Sequence, residues 1–220
     1  MGTINVTRVQ AGLMGNNTYL LYVDGRDDCV VVDAAGDGTE ICDALTVLGK
    51  TPKMLLLTHG HFDHIGGAKM LKDSYEMPIA IHEADATKLV DANENLSAFV
   101  GTKPVTAPAA DVFLSDGEIL DVAGMRIEVM HTPGHSPGSV CFRCGEILVT
   151  GDTLFCRGYG RTDFPGGSME ALKQSLQRLF ELPGDYTVLP GHNDRTTLDA
   201  ERKANGHAAS EMNAQTRERK

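Results

Sequence analysis

No uninterrupted apolar run in the 220-residue sequence approaches the roughly 20 residues that a helix needs to cross a bilayer. Met1 to Gln10 has no basic stretch followed by an apolar core, so no secretory signal is expected. A cytoplasmic protein with no membrane partner is the reading that follows. Positive charge is also in short supply: 20 Lys and Arg face 30 Asp and Glu, a formal net charge of −10. Phosphate binding needs a basic surface, so nucleic acid is excluded as an expected partner. Cysteine is scarce and irregularly placed. The five (Cys29, Cys42, Cys141, Cys144, Cys156) are odd in number and lack the spacing of a disulfide scaffold. Cys141-Phe142-Arg143-Cys144 is formally a C-x-x-C, but it has no second pair and falls where a hairpin strand meets its turn at Gly145. Reduced, mostly buried thiols are expected.

What remains is ordinary for a soluble globular chain, 41% apolar and 23% charged. Short strands are expected over 4–9, 19–23 and 29–32, with Asp24-Gly25 as a hairpin turn. A helix follows over 39–48, with Ile41, Ala44, Leu45 and Leu48 on one face, then a strand over 54–57. A helix over 68–74, a strand over 78–81 and a helix over 83–91 complete the first half. Residues 93–108 lack periodicity, as functional lids and disordered loops do. Strands then recur over 118–121, 126–130, 140–143 and 147–150. A helix over 168–179 carries Ser168 as N-cap and turns Leu172, Ser175, Leu176 and Leu179 inward. A short strand over 187–189 and a helix from about 198 to 205 close the pattern. The order is strands then a helix, twice, with no composition shift to mark a linker. It predicts one α/β domain over 1–206 built of two similar halves, two sheets packed face to face with helices outside. A polar, frayed tail is expected over 207–220.

The stretch Thr58-His59-Gly60-His61-Phe62-Asp63-His64 stands out. It follows the apolar run Met54-Leu55-Leu56-Leu57, so three imidazoles and a carboxylate crowd a strand end. Neutral imidazole is the commonest metal ligand, and a carboxylate adds a hard oxygen donor. On extended backbone His59 and His61 point to the same side, because side chains repeat every two residues. The turn toward a helix carries Asp63 and His64 to a second point close by. Two adjacent metal positions are the expectation.

The same arrangement of apolar strand, glycine and donor recurs three times. Residues 126–130 run into His131-Thr132-Pro133-Gly134-His135, residues 147–150 into Gly151-Asp152, and residues 186–189 into Pro190-Gly191-His192. Glycine beside a donor permits tight turning and close backbone approach. His135, Asp152 and His192 thereby join the candidates, and five of the eight histidines fall on one pattern. His82, before Glu83, reads as a strand-end or cap residue. His131 reads as a residue supporting the ligands or bonded to backbone, and His207 lies in the tail.

His59-Gly60-His61-Phe62-Asp63-His64, followed in order by His135, Asp152 and His192, resembles the metallo-β-lactamase superfamily. Thr132-Pro133-Gly134-His135-Ser136-Pro137-Gly138, Thr150-Gly151-Asp152-Thr153-Leu154-Phe155, Pro190-Gly191-His192 and Gly160-Arg161-Thr162-Asp163-Phe164-Pro165-Gly166-Gly167-Ser168 resemble its glyoxalase II (hydroxyacylglutathione hydrolase) branch, in its shorter bacterial form. The resemblance implies an αββα sandwich with the metals at one edge. It implies that His59, His61 and His135 hold one metal, that Asp63, His64 and His192 hold the other, and that Asp152 bridges them. Three positions depart from the glyoxalase II pattern: Arg161 replaces a lysine, and Asp163 and Asp194 replace tyrosines. No C-terminal helical domain for glutathione is expected either.

The implied cofactors are two divalent ions, zinc first, with iron or manganese also suited to N/O donors. The implied activity is hydrolysis of a small-molecule thioester or ester by a hydroxide shared between the metals, which Asp63 orients while binding metal. Arg161 is a candidate to pair with a substrate carboxylate, with an ion pair to an acidic neighbour as the alternative. Leu96, Phe99, Phe155 and Tyr159 are candidate pocket walls, with core packing the preferred reading for Phe155. A mononuclear-iron persulfide dioxygenase on residues matching His59, His135 and Asp152 is the rival activity. The oligomeric state is left open.

Overall fold

The computed structural model of the chain describes residues 2–100 and 103–205. The tail expected from 207 onward lies outside the described residues. The first half runs β1 (Ile4–Ala11), β2 (Asn16–Val23), β3 (Asp28–Val32), α1 (Thr39–Leu48), β4 (Thr51–Leu56), α2 (Phe62–Ile65), α3 (Ala68–Tyr75), β5 (Ile79–His82), α4 (Ala86–Val90) and β6 (Val112–Leu114). The second runs β7 (Ile119–Val122), β8 (Met125–His131), β9 (Val140–Cys144), β10 (Ile147–Gly151), β11 (Leu154–Phe155), β12 (Gly158–Tyr159), α5 (Met169–Phe180), β13 (Thr187–Pro190) and β14 (Thr196–Thr197). Residues 198–205 are helical.

Two six-stranded sheets result, ordered β1-β2-β3-β4-β5-β6 and β14-β13-β10-β9-β8-β7. Strand alternation decides how they pack. Tyr19, Leu21 and Val23 of β2 and Val30 and Val32 of β3 face Ile127, Val129, Val140, Phe142 and Cys144 of the second sheet in one shared core. Leu20, Cys29 and Val31 point the other way, into a layer with Ile41, Leu45 and Leu71 of the first-half helices. Met130, Cys141 and Leu148 do the same against Leu172, Leu176 and Leu179 of α5. The sandwich is therefore helix, sheet, sheet, helix, as expected. Each fully buried leucine or valine stabilises it by roughly 1.5–3 kcal/mol. Ser168 caps α5 by accepting the Ala171 amide (3.2 Å), and the four residues expected on its inner face are its buried ones.

Cys141 and Cys144 fall on opposite faces of β9, one in each core layer, so the C-x-x-C spacing brings no thiol pair together. All five cysteines are free; Cys42 and Cys156 are only half-buried. The expected helix over 83–91 is instead a 3-10 turn (Glu83–Asp85) followed by α4. His82 accepts the Ala84 amide at the start of that turn, and the turn aims Asp85 inward. Strands β6, β11, β12 and β14, each of two or three residues, are too short to leave a periodic signal. Of the stretch 93–108, residues 101 and 102 lie outside the described residues, and the rest is anchored: Asn95 donates to the Lys88 and Val105 carbonyls, and the Val105 amide donates to Ser97 Oγ.

Candidate metal centre

The loops after β4, β8, β10 and β13 meet at one edge of the sandwich. Backbone hydrogen bonds tie them together, Val140 N to Thr58 O and Asn17 N to Gly191 O across the two sheets and Gly191 N to Gly151 O within the second, each 2.8 Å. Glycine makes this approach possible. A Cβ on Gly191 would stand 2.3 Å from Asp152 Oδ1 and 2.7 Å from His64 Cε1, and one on Gly160 would lie 1.9 Å from the Asp152 carbonyl oxygen. The helix after the histidine motif starts earlier than periodicity suggests. Short α2 carries Asp63 and His64 on its own turn, separated from α3 by Gly66-Gly67.

All seven expected donors come together. His59, His61 and His135 form one group whose donor atoms lie within 4.8 Å of one another; Asp63, His64 and His192 form another. Asp152 stands between them, with Oδ1 3.4 Å from His64 Nε2, and Oδ2 3.5 Å from His135 Nε2 and 3.4 Å from His192 Nε2. A third set of His59, His64 and Asp152 links the two groups. Two of these atoms, His59 Nε2 and Asp152 Oδ1, are buried with no hydrogen-bond partner. Leaving such groups unpaired costs about 1–3 kcal/mol each. A cation is the partner that a lone pair of imidazole and a carboxylate oxygen both lack, so the donor set fits divalent metal in number, type and placement.

A layer of supporting residues orients the imidazoles, and sequence reasoning missed it. Asp33 Oδ2 lies 2.8 Å from His64 Nδ1, and its carboxylate also accepts the Thr58 amide and hydroxyl, each at 2.8 Å. With its proton given to Asp33, the Thr58 hydroxyl can accept from His59 Nδ1 at 3.1 Å. His135 Nδ1 donates to the Arg161 carbonyl at 2.7 Å. For His59 and His135 the bonded nitrogen carries the proton and the other nitrogen keeps its lone pair toward the centre; His64 reaches the same state once its Nε2 proton is lost. Asp85 is fully buried and joins two ligand loops, accepting Gly60 N (2.9 Å), Ser136 Oγ (2.7 Å) and Gly138 N (2.9 Å). Asp33 closes β3 in a left-handed conformation, φ 59°. Neither aspartate carries a sequence signal beyond its place at a strand end or a turn.

The two groups differ electrostatically. Burial holds the His59 imidazole well below its ordinary range, and burial with neighbouring His135 lowers His61 to about 3. Burial pulls His64 and His192 down too, but the surrounding carboxylates outweigh it. Asp152, Asp63 and Asp33 raise His64, and Asp152 and Asp63 raise His192 to about 9. Protons thus share the second group with its carboxylates at neutral pH, while His59 and His61 in the first stay neutral.

A cavity of about 790 Å³ opens onto the centre. Leu96, Phe99 and Tyr159 line it as candidate walls; Phe155, for which the sequence favours core packing, lines it too and packs edge-on to the His192 ring at 5.9 Å. Arg161 borders it as well, in the ion-paired alternative. Its guanidinium binds both Asp163 oxygens at 2.6 Å and lies 4.2 Å from the Phe164 ring centre. His82 and His131 stay outside the centre, stacked on each other at 4.0 Å, with His131 Nε2 2.9 Å from the Pro137 carbonyl oxygen. Asp194 is exposed and pairs with Arg8 at 3.0 Å.

The model of the metallo-beta-lactamase superfamily matches residues 11–192. A probable metallo-hydrolase of Bacillus subtilis, YqgX, is 37% identical over 202 residues, 90% of this chain and 94% of its own. The hydroxyacylglutathione hydrolase GloC of Haemophilus influenzae is 33% identical, covering 92% and 97%. Among solved structures, the B3 metallo-beta-lactamase BLEG-1 superposes with a TM-score of 0.87 at 33% identity, over 90% of this chain and 97% of that one. TTHA1623 in a di-iron-bound form gives 0.80 at 33% identity, over 90% and 98%. ETHE1 from Myxococcus xanthus gives 0.76 at 25%, over 94% and 85%.

Proposed function

The chain belongs to the metallo-beta-lactamase superfamily, and from that premise we propose that it is a binuclear metallohydrolase that cleaves a thioester or related ester. The observation that carries this reading is the pairing of two three-donor groups around Asp152, with His59 Nε2 and Asp152 Oδ1 unpartnered. His59, His61 and His135 would hold one ion, Asp63, His64 and His192 the other, and Asp152 would touch both. Divalent ions held by these residues would supply Lewis-acid chemistry, making water more acidic and an acyl carbonyl more electrophilic.

The chain's own residues supply the rest. Asp63 orients the attacking water through its carboxylate. Phe155, Phe164 and Leu96 exclude bulk water from the reacting carbonyl, which strengthens every electrostatic contact beside it. The cavity wall favours an apolar acyl group. Arg161 is the one Lys or Arg among the described lining residues, and Asp163 already neutralises it. An acidic thiol carrier such as glutathione therefore finds no unpaired Lys or Arg among the described lining residues, in keeping with the departures at 161 and 163.

Thiol release from an acyl thioester, followed without oxygen, tests the reading. Metal-loaded protein is expected to turn over, chelated protein to stop, and restored Zn²⁺, Fe²⁺ or Mn²⁺ to recover it. Oxygen consumption with a persulfide and no thioester cleavage would decide for the mononuclear-iron dioxygenase.

A further inference from the structure

Asn16, the first residue of β2, occupies a position that none of the seven donors explains. Its side chain is buried, 1% exposed. Its amide nitrogen lies 2.8 Å from Asp63 Oδ2, 3.2 Å from His64 Nε2 and 3.3 Å from His192 Nε2. Those are the three donor atoms of the second group. Its carbonyl oxygen, Oδ1, is buried and has no hydrogen-bond partner.

The residue is not free to withdraw. Asn17 donates its backbone amide to the Gly191 carbonyl (2.8 Å) and its side chain to the Pro190 and Asn193 carbonyls, each 2.9 Å. Tyr19 Oη donates to the same Pro190 carbonyl at 2.8 Å. The start of β2 is thereby fastened to the loop that carries His192, and the Asn16 head group stays against the second donor group.

A head group within 3.3 Å of three donor atoms is in contact with any cation that they share. An NH₂ group toward a cation is repelled, and a carbonyl oxygen is attracted. The amide's nitrogen and oxygen exchange places by a half-turn that leaves its shape unchanged. We propose that Asn16 is a ligand of the second metal position: with a cation present, Oδ1 turns inward and completes a set with Asp63, His64, His192 and Asp152. This inference rests on the two-ion reading and adds a donor that was not among the sequence candidates. An amide oxygen makes the position harder and richer in oxygen than the three-histidine position, which suits Fe²⁺, Mn²⁺ or Zn²⁺ over softer ions.

Calorimetric titration of chelated full-length protein with Zn²⁺ tests it, with a Co²⁺ absorption spectrum as second readout. Wild type is expected to take two equivalents; fewer than two would end the two-ion reading itself, independently of Asn16. Asn16→Leu keeps the bulk and removes both polar atoms. It is expected to weaken the second equivalent by about tenfold or more and leave the first unchanged. Asn16→Asp keeps an oxygen and cannot donate when ionised, so it is expected to hold the second ion at least as tightly as wild type. An unchanged second equivalent in N16L would overturn the proposal. So would equal weakening in N16D, because the amide would then act only by donating to Asp63. Should N16L fail to fold, N16D decides alone.

Discussion

The carboxylate of Asp33 lies 2.8 Å from His64 Nδ1, on the side of the ring away from the other donors. That contact leaves His64 Nε2 unprotonated toward the centre once a cation displaces its proton. The same carboxylate takes the Thr58 hydroxyl proton and so settles the orientation of His59. One aspartate thereby controls a histidine in each metal group.

Asp33→Asn puts an NH₂ group against His64 Nδ1 and forces the ring proton onto Nε2, where it blocks metal. Metal affinity is expected to fall about 10–100-fold. Equilibrium dialysis against a metal buffer measures it, and wild-type affinity would remove Asp33 from this role.

Asp85→Ala leaves the Gly60 and Gly138 amides buried without an acceptor, since Ser136 can still bond Ser139. The expected loss is about 1–3 kcal/mol for each amide. Guanidinium unfolding of the chelated protein reads it without interference from bound ions. An unchanged midpoint would show that the two loops are held by other means.

Gly191→Ala introduces a methyl carbon 2.3 Å from Asp152 Oδ1 and 2.7 Å from His64 Cε1. Neither neighbour is the free end of a flexible chain, because both are buried in the donor cluster. The variant is expected to keep its sheet circular dichroism and to lose more than 90% of thioester turnover, roughly 1.4 kcal/mol or more in activation free energy.

The raised titration of His192 gives a signed pH effect. Its value of about 9 exceeds the roughly 6.5 of an unfolded histidine. The proton shared with Asp152 and Asp63 therefore stabilises chelated protein fully below pH 6.5, and this contribution disappears as pH rises through 9. The melting temperature of chelated protein is expected to fall across that window. Metal-loaded protein, whose ions replace the proton, is expected to lack that fall, and metal uptake near pH 7 should release protons. A flat chelated profile would contradict the pairing.

The clustering of the seven candidate donors was legible because His59, His61, His135, Asp152 and His192 each sit beside glycine after an apolar strand, with Asp63 and His64 following in the same motif, a pattern written in consecutive residues. The two sheets were legible for the same reason, as in Tyr19, Leu21 and Val23 alternating with Leu20. The supporting residues were not. Asp33, Asp85 and Asn16 look like any turn or strand-end polar residue, and only packing of the first half onto the second shows what each one touches. The short strands β11 and β12 shape the cavity wall at Phe155 and Tyr159, yet two residues carry no period. Arg161 was visible, but its partner choice was not. The structure adds that its carbonyl, rather than its charge, supports His135.

Anomalous diffraction from a metal-loaded crystal tests the central claim most directly. Two peaks are predicted, one among His59, His61 and His135 and one among Asp63, His64 and His192, with the Asp152 carboxylate between them. A single peak held by His59, His135 and Asp152 alone would contradict the paired-ion account.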